Sequence, residues 1–161
     1  MELLAPAGSR QALTAAVQSG ADAVYLGGPQ FGARYSAENF TIEEMKTWVD
    51  YCHLYGVDVH VTVNTLVKEK EIESLKEYLK QLNKIGVDAL IVQDMGAVEI
   101  IKKTVPDMTL HASTQMTVTS LEGVKYLEDM GFSRVVLARE LSEKEIEHIC
   151  NNAKAEIEVF V

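Results

Sequence analysis

Polar side chains crowd the ends of otherwise apolar runs in this 161-residue sequence. His111 closes one such run and leads into Ala-Ser-Thr-Gln115. Gln93-Asp94 and Arg139-Glu140 close two others, and Asn64 closes a fourth. An imidazole together with carboxylates is equipment for proton transfer, so His111, Asp94 and Glu140 are the catalytic candidates. Asn64, Gln93, Gln115 and Arg139 supply hydrogen-bond donors and acceptors that suit them to holding a substrate. Several have an ordinary alternative: Asp94 equally suits the cap of a helix beginning near Gly96, and Arg139-Glu140 a loop ion pair. No HExxH, GxSxG or Walker-type loop occurs. Cys52 and His53 are neighbours in a helical stretch and diverge by about 100°, so they do not form a nucleophile–base pair. No metal-ligand spacing is present either.

Elements that would place these residues repeat along the chain. Gly20-Ala-Asp-Ala-Val-Tyr-Leu, Gly56-Val-Asp-Val-His-Val-Thr, Gly86-Val-Asp-Ala-Leu-Ile-Val and Gly131-Phe-Ser-Arg-Val-Val-Leu share one pattern. In each, a glycine follows a helical stretch, a polar residue comes two positions later, and a short apolar run follows. Thr41 with Glu44, Thr119 with Glu122 and Ser142 with Glu145 fit the capping box that opens a helix. Ile72, Leu75, Leu79, Leu82 and Ile85 advance by three or four, which predicts an amphipathic helix. Strands are expected near 2–5, 22–26, 57–63, 87–92, 108–112, 133–137 and 155–161. Alternating strands and helices imply a parallel sheet. The first strand ends in Ala5-Pro6-Ala7-Gly8-Ser9, without the GxGxxG turn of a dinucleotide fold. The reading is therefore one α/β domain over residues 1–161, an incomplete parallel (β/α) barrel of TIM type with six strand–helix units and a seventh strand.

Alternation within the strands selects the lumen. In Val57-Asp58-Val59-His60-Val61-Thr62-Val63-Asn64 the valines share one face, which the helices must cover. His60, Thr62 and Asn64 then point inward, as do Thr109, His111 and Ser113, and later Glu156 and Glu158. His60 joins the substrate-binding candidates, although a lone strand histidine also serves structure alone. So many polar groups inside a barrel call for a wet or ligand-filled pocket.

Composition narrows the setting. Lys plus Arg number 15 against 24 Asp plus Glu, for a net charge of −9. No segment is a basic patch, so nucleic-acid contacts are not expected from this stretch alone. No apolar run approaches the ~18 residues of a membrane span and nothing reads as a signal peptide. With Cys52 and Cys150 too far apart for a CxxC, a soluble cytoplasmic protein is expected. The final Glu156-Ile-Glu-Val-Phe-Val161 reads as a strand with nothing after it, so an exposed sheet edge and homo-oligomers through it are expected.

Glu2-Leu-Leu-Ala-Pro-Ala-Gly-Ser9, Gly20-Ala-Asp-Ala-Val-Tyr-Leu-Gly-Gly28, Phe31-Gly-Ala-Arg34, Leu110-His-Ala-Ser-Thr-Gln-Met116 and Val136-Leu-Ala-Arg-Glu-Leu141 together resemble peptidase family U32, the collagenase-like proteases. The resemblance runs the length of the chain. It implies a barrel-like catalytic domain, adds Arg34 to the substrate-binding candidates, and implies peptide hydrolysis by the family label. It also implies an alternative, hydroxylation of transfer RNA, ribosomal RNA or a quinone precursor. Some such relatives hold an iron–sulfur cluster through cysteines that Cys52 and Cys150 do not match. The expectation is therefore an N-terminal fragment, inactive by itself, with no cofactor of its own and with any cluster in the longer parent, whose substrate is a peptide or an RNA.

Overall fold

A chain leaving a helix and turning at once into a strand needs a residue that tolerates positive φ, and glycine carries no Cβ to oppose it. Gly20, Gly56, Gly86 and Gly131 sit at φ between 69° and 86°, each at the foot of a strand. The computed structural model describes residues 1–33 and 40–161. Its strands are β1 (Leu4–Pro6), β2 (Ala23–Gly27), β3 (Asp58–Val63), β4 (Ala89–Val92), β5 (Thr109–Ala112), β6 (Arg134–Val136) and β7 (Glu156–Glu158). Between them run α1 (Arg10–Gln18), α2 (Ile42–Leu54), α3 (Ile72–Ile85), α4 (Met95–Thr104), α5 (Leu121–Asp129) and α6 (Glu143–Asn152). The strands pair in parallel and in chain order, β1 through β7.

The valine face does point outward. Val24, Leu26, Val59, Val61, Val63, Leu90, Val92, Leu110 and Val135 share one apolar core with Leu13, Met45, Leu75, Leu79, Val98, Ile101 and Leu127 of the helices. The other face curls into a half-barrel lumen, far enough that Glu2, ahead of β1, reaches Arg134 of β6 at 2.7 Å. Register sets the inward rows: Tyr25 pairs with His60, His60 with Ala89, His111 with Arg134, and Arg134 with Glu156.

Helix starts follow their caps, with one correction. The boxes at Thr41–Glu44 and Ser142–Glu145 form. Thr119 does not cap α5. Ser120 does, its Oγ accepting from Gly123 N at 3.2 Å. That places Glu122 one position too early in the helix to reach back to the cap. The last strand is shorter than expected, ending at Glu158.

Candidate functional site

A cavity of about 370 Å³ opens where the strands end at their carboxyl side. Every strand, or the residues just after it, contributes to its wall. Gly8 follows β1, Tyr25 and Gly27 belong to β2, and Thr62 and Asn64 come from the end of β3. Ile91, Ser113, Gln115, Val136, Arg139, Glu158 and Phe160 complete most of the rest. Parallel strands bring these positions together because each strand's inward row ends on the same side.

Three candidates from the sequence line this cavity: Asn64, Gln115 and Arg139. Asn64 Oδ1 accepts from Ala33 N at 3.0 Å and so holds the loop after β2 against the wall. Gln115 N donates to Ser113 Oγ at 3.3 Å, fixing the turn after β5. The guanidinium carbon of Arg139 lies 4.1 Å from the centroid of the Phe160 ring. Three of the cavity's hydroxyls bond to carbonyl oxygens: Thr62 Oγ1 donates to Leu26 O, Thr114 Oγ1 to Leu137 O and Ser113 Oγ to Gln115 Oε1.

Other candidates stand elsewhere. Asp94 caps α4. Its Oδ1 accepts from Gly96 N and Ala97 N at the start of α4, and its Oδ2 accepts from Val67 N at 2.9 Å. Both oxygens are thus committed to backbone donors, as an N-cap requires. Glu140 is exposed in the turn after β6 and Gln93 is half-buried after β4, and neither is on the cavity wall. Arg34 lies outside the described residues. Arg139 and Glu140 do not form the loop ion pair the sequence allowed, since Arg139 stacks on Phe160 instead.

His60 and His111 lie deeper in the lumen, nearly sealed from solvent. Their rings meet edge to face with centroids 4.7 Å apart, across β4 where Ala89 leaves room. Both Nδ1 atoms are buried without a hydrogen-bond partner. Burial, then the neighbouring His60 ring and the Arg134 charge, push His111 down to about 3, and burial lowers His60 as well. Both are therefore neutral imidazoles near pH 7.

Arg134, which the sequence reading passed over, anchors the amino end of the lumen. Its Nη1 and Nη2 donate to the two oxygens of Glu2, each at 2.7 Å, and its Nε donates to Glu156 Oε2 at 2.8 Å. Glu158 lies 3.8 Å from Arg134 Nη1 with its own Oε2 unbonded. Burial raises the Glu158 carboxyl above its ordinary range. Parity along Ser133-Arg134-Val135-Val136 places Arg134 inward, opposite Val135, and that was the available signal.

Residues present here do not fit an iron–sulfur cluster, whose ligands are thiolates. Cys52 is sealed in the core on α2, its thiol pushed up to about 11 by burial, while Cys150 is exposed on α6. Among the described residues, no three His, Cys, Asp or Glu side chains converge as a metal site. No described helix is long and apolar enough to cross a membrane.

Residues 8–161 match the model of peptidase family U32, and the chain belongs to that family. It is 43% identical over its whole length to a 23S rRNA 5-hydroxycytidine C2501 synthase from Escherichia coli, covering 24% of that protein. It is 39% identical over 99% of its length to tRNA hydroxylation protein P1 from Bacillus subtilis, covering 38% of it. The chain thus spans about a quarter to two fifths of these two curated relatives. Among solved structures, a U32 peptidase superposes with a TM-score of 0.79 at 20% identity, over 99% of this chain and 68% of the other. That likeness is one of fold.

Proposed function

We propose that this chain is the half-barrel of an RNA-hydroxylation protein and that the cavity at the strand ends is its binding site. The observation that carries this reading is the identity of 43% and 39%, over essentially the whole chain, to proteins named for hydroxylating 23S rRNA and tRNA. The half-barrel is read as part of a TIM-type barrel, in which strand carboxyl ends hold the chemistry. Asn64, Gln115 and Ser113 orient what enters by hydrogen bonds. The neutral His60–His111 pair and the Arg134 cluster keep the lumen beneath it rigid and closed.

Geometry lends no comparable support to peptide hydrolysis, the activity in the family's name. A peptidase of the nucleophilic kind needs a hydroxyl or thiol activated by a base. Here the Thr62, Ser113 and Thr114 hydroxyls of the cavity donate to carbonyl oxygens, and the Cys52 thiol is buried and hard to ionise. Mass spectrometry of nucleosides from the tRNA and rRNA of a deletion strain tests the proposal. Loss of one hydroxylated pyrimidine is the expected result, and profiles identical to the parent strain overturn it.

A further inference from the structure

We propose that Arg139, laid over Phe160 at the cavity, is the phosphate anchor of the site, taking a backbone phosphate of a single-stranded RNA segment. The inference rests on the RNA reading above and adds how the RNA is held.

Its starting point is a charge without a counter-charge. Three arginines fall among the described residues. Arg10 pairs with Glu44, and Arg134 pairs with Glu2 and Glu156. Arg139 has no carboxylate within ion-pair distance among the described residues, although the chain carries 24 acidic side chains. Glu158, on the same cavity wall, lies against Arg134, and Glu140 is exposed in the turn.

Stacking supplies the second observation. With its carbon 4.1 Å from the ring centroid, the guanidinium is held by the face of Phe160. An arginine fixed in this way gives up its plane to the ring and keeps its edge donors for a ligand. Those donors form a rigid fork that matches two oxygens of a phosphate. Arg139 is also the one cation lining the cavity among the described residues. The net charge of −9 on these residues gives a polyanion no net attraction to them, which leaves the register of the strand to local contacts such as this one.

The test uses the full-length protein and a short fluorescein-labelled single-stranded pyrimidine RNA, with affinity measured by anisotropy over a salt series. Arg139→Ala is expected to weaken binding and to flatten the plot of log K against log salt by about 0.7, the share of one phosphate on a single strand. Arg139→Lys keeps the charge and so keeps the slope, while losing affinity with the fork. Phe160→Ala weakens binding by releasing the guanidinium. Thermal melting of each variant confirms folding, which the exposure of Arg139 favours.

An unchanged slope in Arg139→Ala overturns the proposal, as does a wild-type protein that does not bind the RNA. Isothermal titration with inorganic phosphate separates the other source of the same chemistry. If Arg139→Ala abolishes phosphate binding yet leaves the RNA slope intact, the anchor serves a small phosphorylated molecule and the RNA assignment fails. Failure of the hydroxylation reading shows separately, as unchanged nucleoside profiles beside an RNA slope that still depends on Arg139.

Discussion

At the scale of single residues, His60 and His111 are held by their surroundings in one protonation state. An imidazole in water takes up a proton near pH 6.5, but inside this lumen His111 resists it down to about 3. The unfolded chain therefore binds more protons than the folded one between those values. Stability is fully present above about pH 6.5 and is lost progressively as pH falls toward 3. Glu2, held below its usual range by the Arg134 hydrogen bonds, adds to the loss below pH 4.5, while Glu158, raised by burial, opposes the loss just above pH 4.5. Urea midpoints measured across this range should fall toward acid. In His111→Leu the limb between pH 4.5 and 6.5 should flatten, whereas an unchanged limb would assign the acid loss to other groups. Asp94 shows the opposite lesson. It stands at a strand end beside Gln93, yet its oxygens are taken by three backbone donors, and strand-end position alone could not separate a cap from an acid.

Elements meet under tighter rules than their individual sequences reveal. The loop after β2 passes so close to α3 that a Cβ built on Gly28 would stand 1.8 Å from the Tyr78 hydroxyl and 3.0 Å from its ring carbon. That hydroxyl is buried without a hydrogen-bond partner, so removing it alone should be nearly neutral. Gly28→Ala should destabilise by about 1–3 kcal/mol, the usual range for overpacking. In a Tyr78→Phe background the cost should shrink, and additive losses in denaturant melts of the four proteins would refute the contact. The seven strands, the outward valines and two of three capping boxes were legible in the sequence because they are local periodicities. The Thr119 box failed because Ser120, one residue on, competes for the same cap with its own hydroxyl. The cavity wall was half legible. Asn64, Gln115 and Arg139 stand at strand ends, but Phe160 gained its role only through Arg139, 21 positions away in sequence. Parity turns Arg134 inward, but its role as a tie is not local. Its partner Glu2 is 132 residues distant, a separation no window of sequence pattern spans.

Across the whole molecule, one arginine ties the ends of the sheet together. Arg134→Ala would leave Glu2, Glu156 and Glu158 facing one another around a vacated site. The expected cost is about 2–3 kcal/mol, under the fully buried figure because Glu2 and Glu156 keep part of their solvent. Chemical denaturation checks it, and a loss within experimental error would show that the curl needs no such tie. The chain-ordered sheet gives this contact a kinetic character. Every strand pairs with the next one along, so β1 to β7 can be laid down successively through nearby closures. The bond from Glu2 to Arg134 joins residues that such a process brings together only once six strands are in place. It should therefore be absent from the transition state, and stopped-flow measurements on Arg134→Ala should find folding at its normal rate and unfolding accelerated. The arginine would act as a clasp closed last, governing how long the half-barrel lasts rather than how fast it forms.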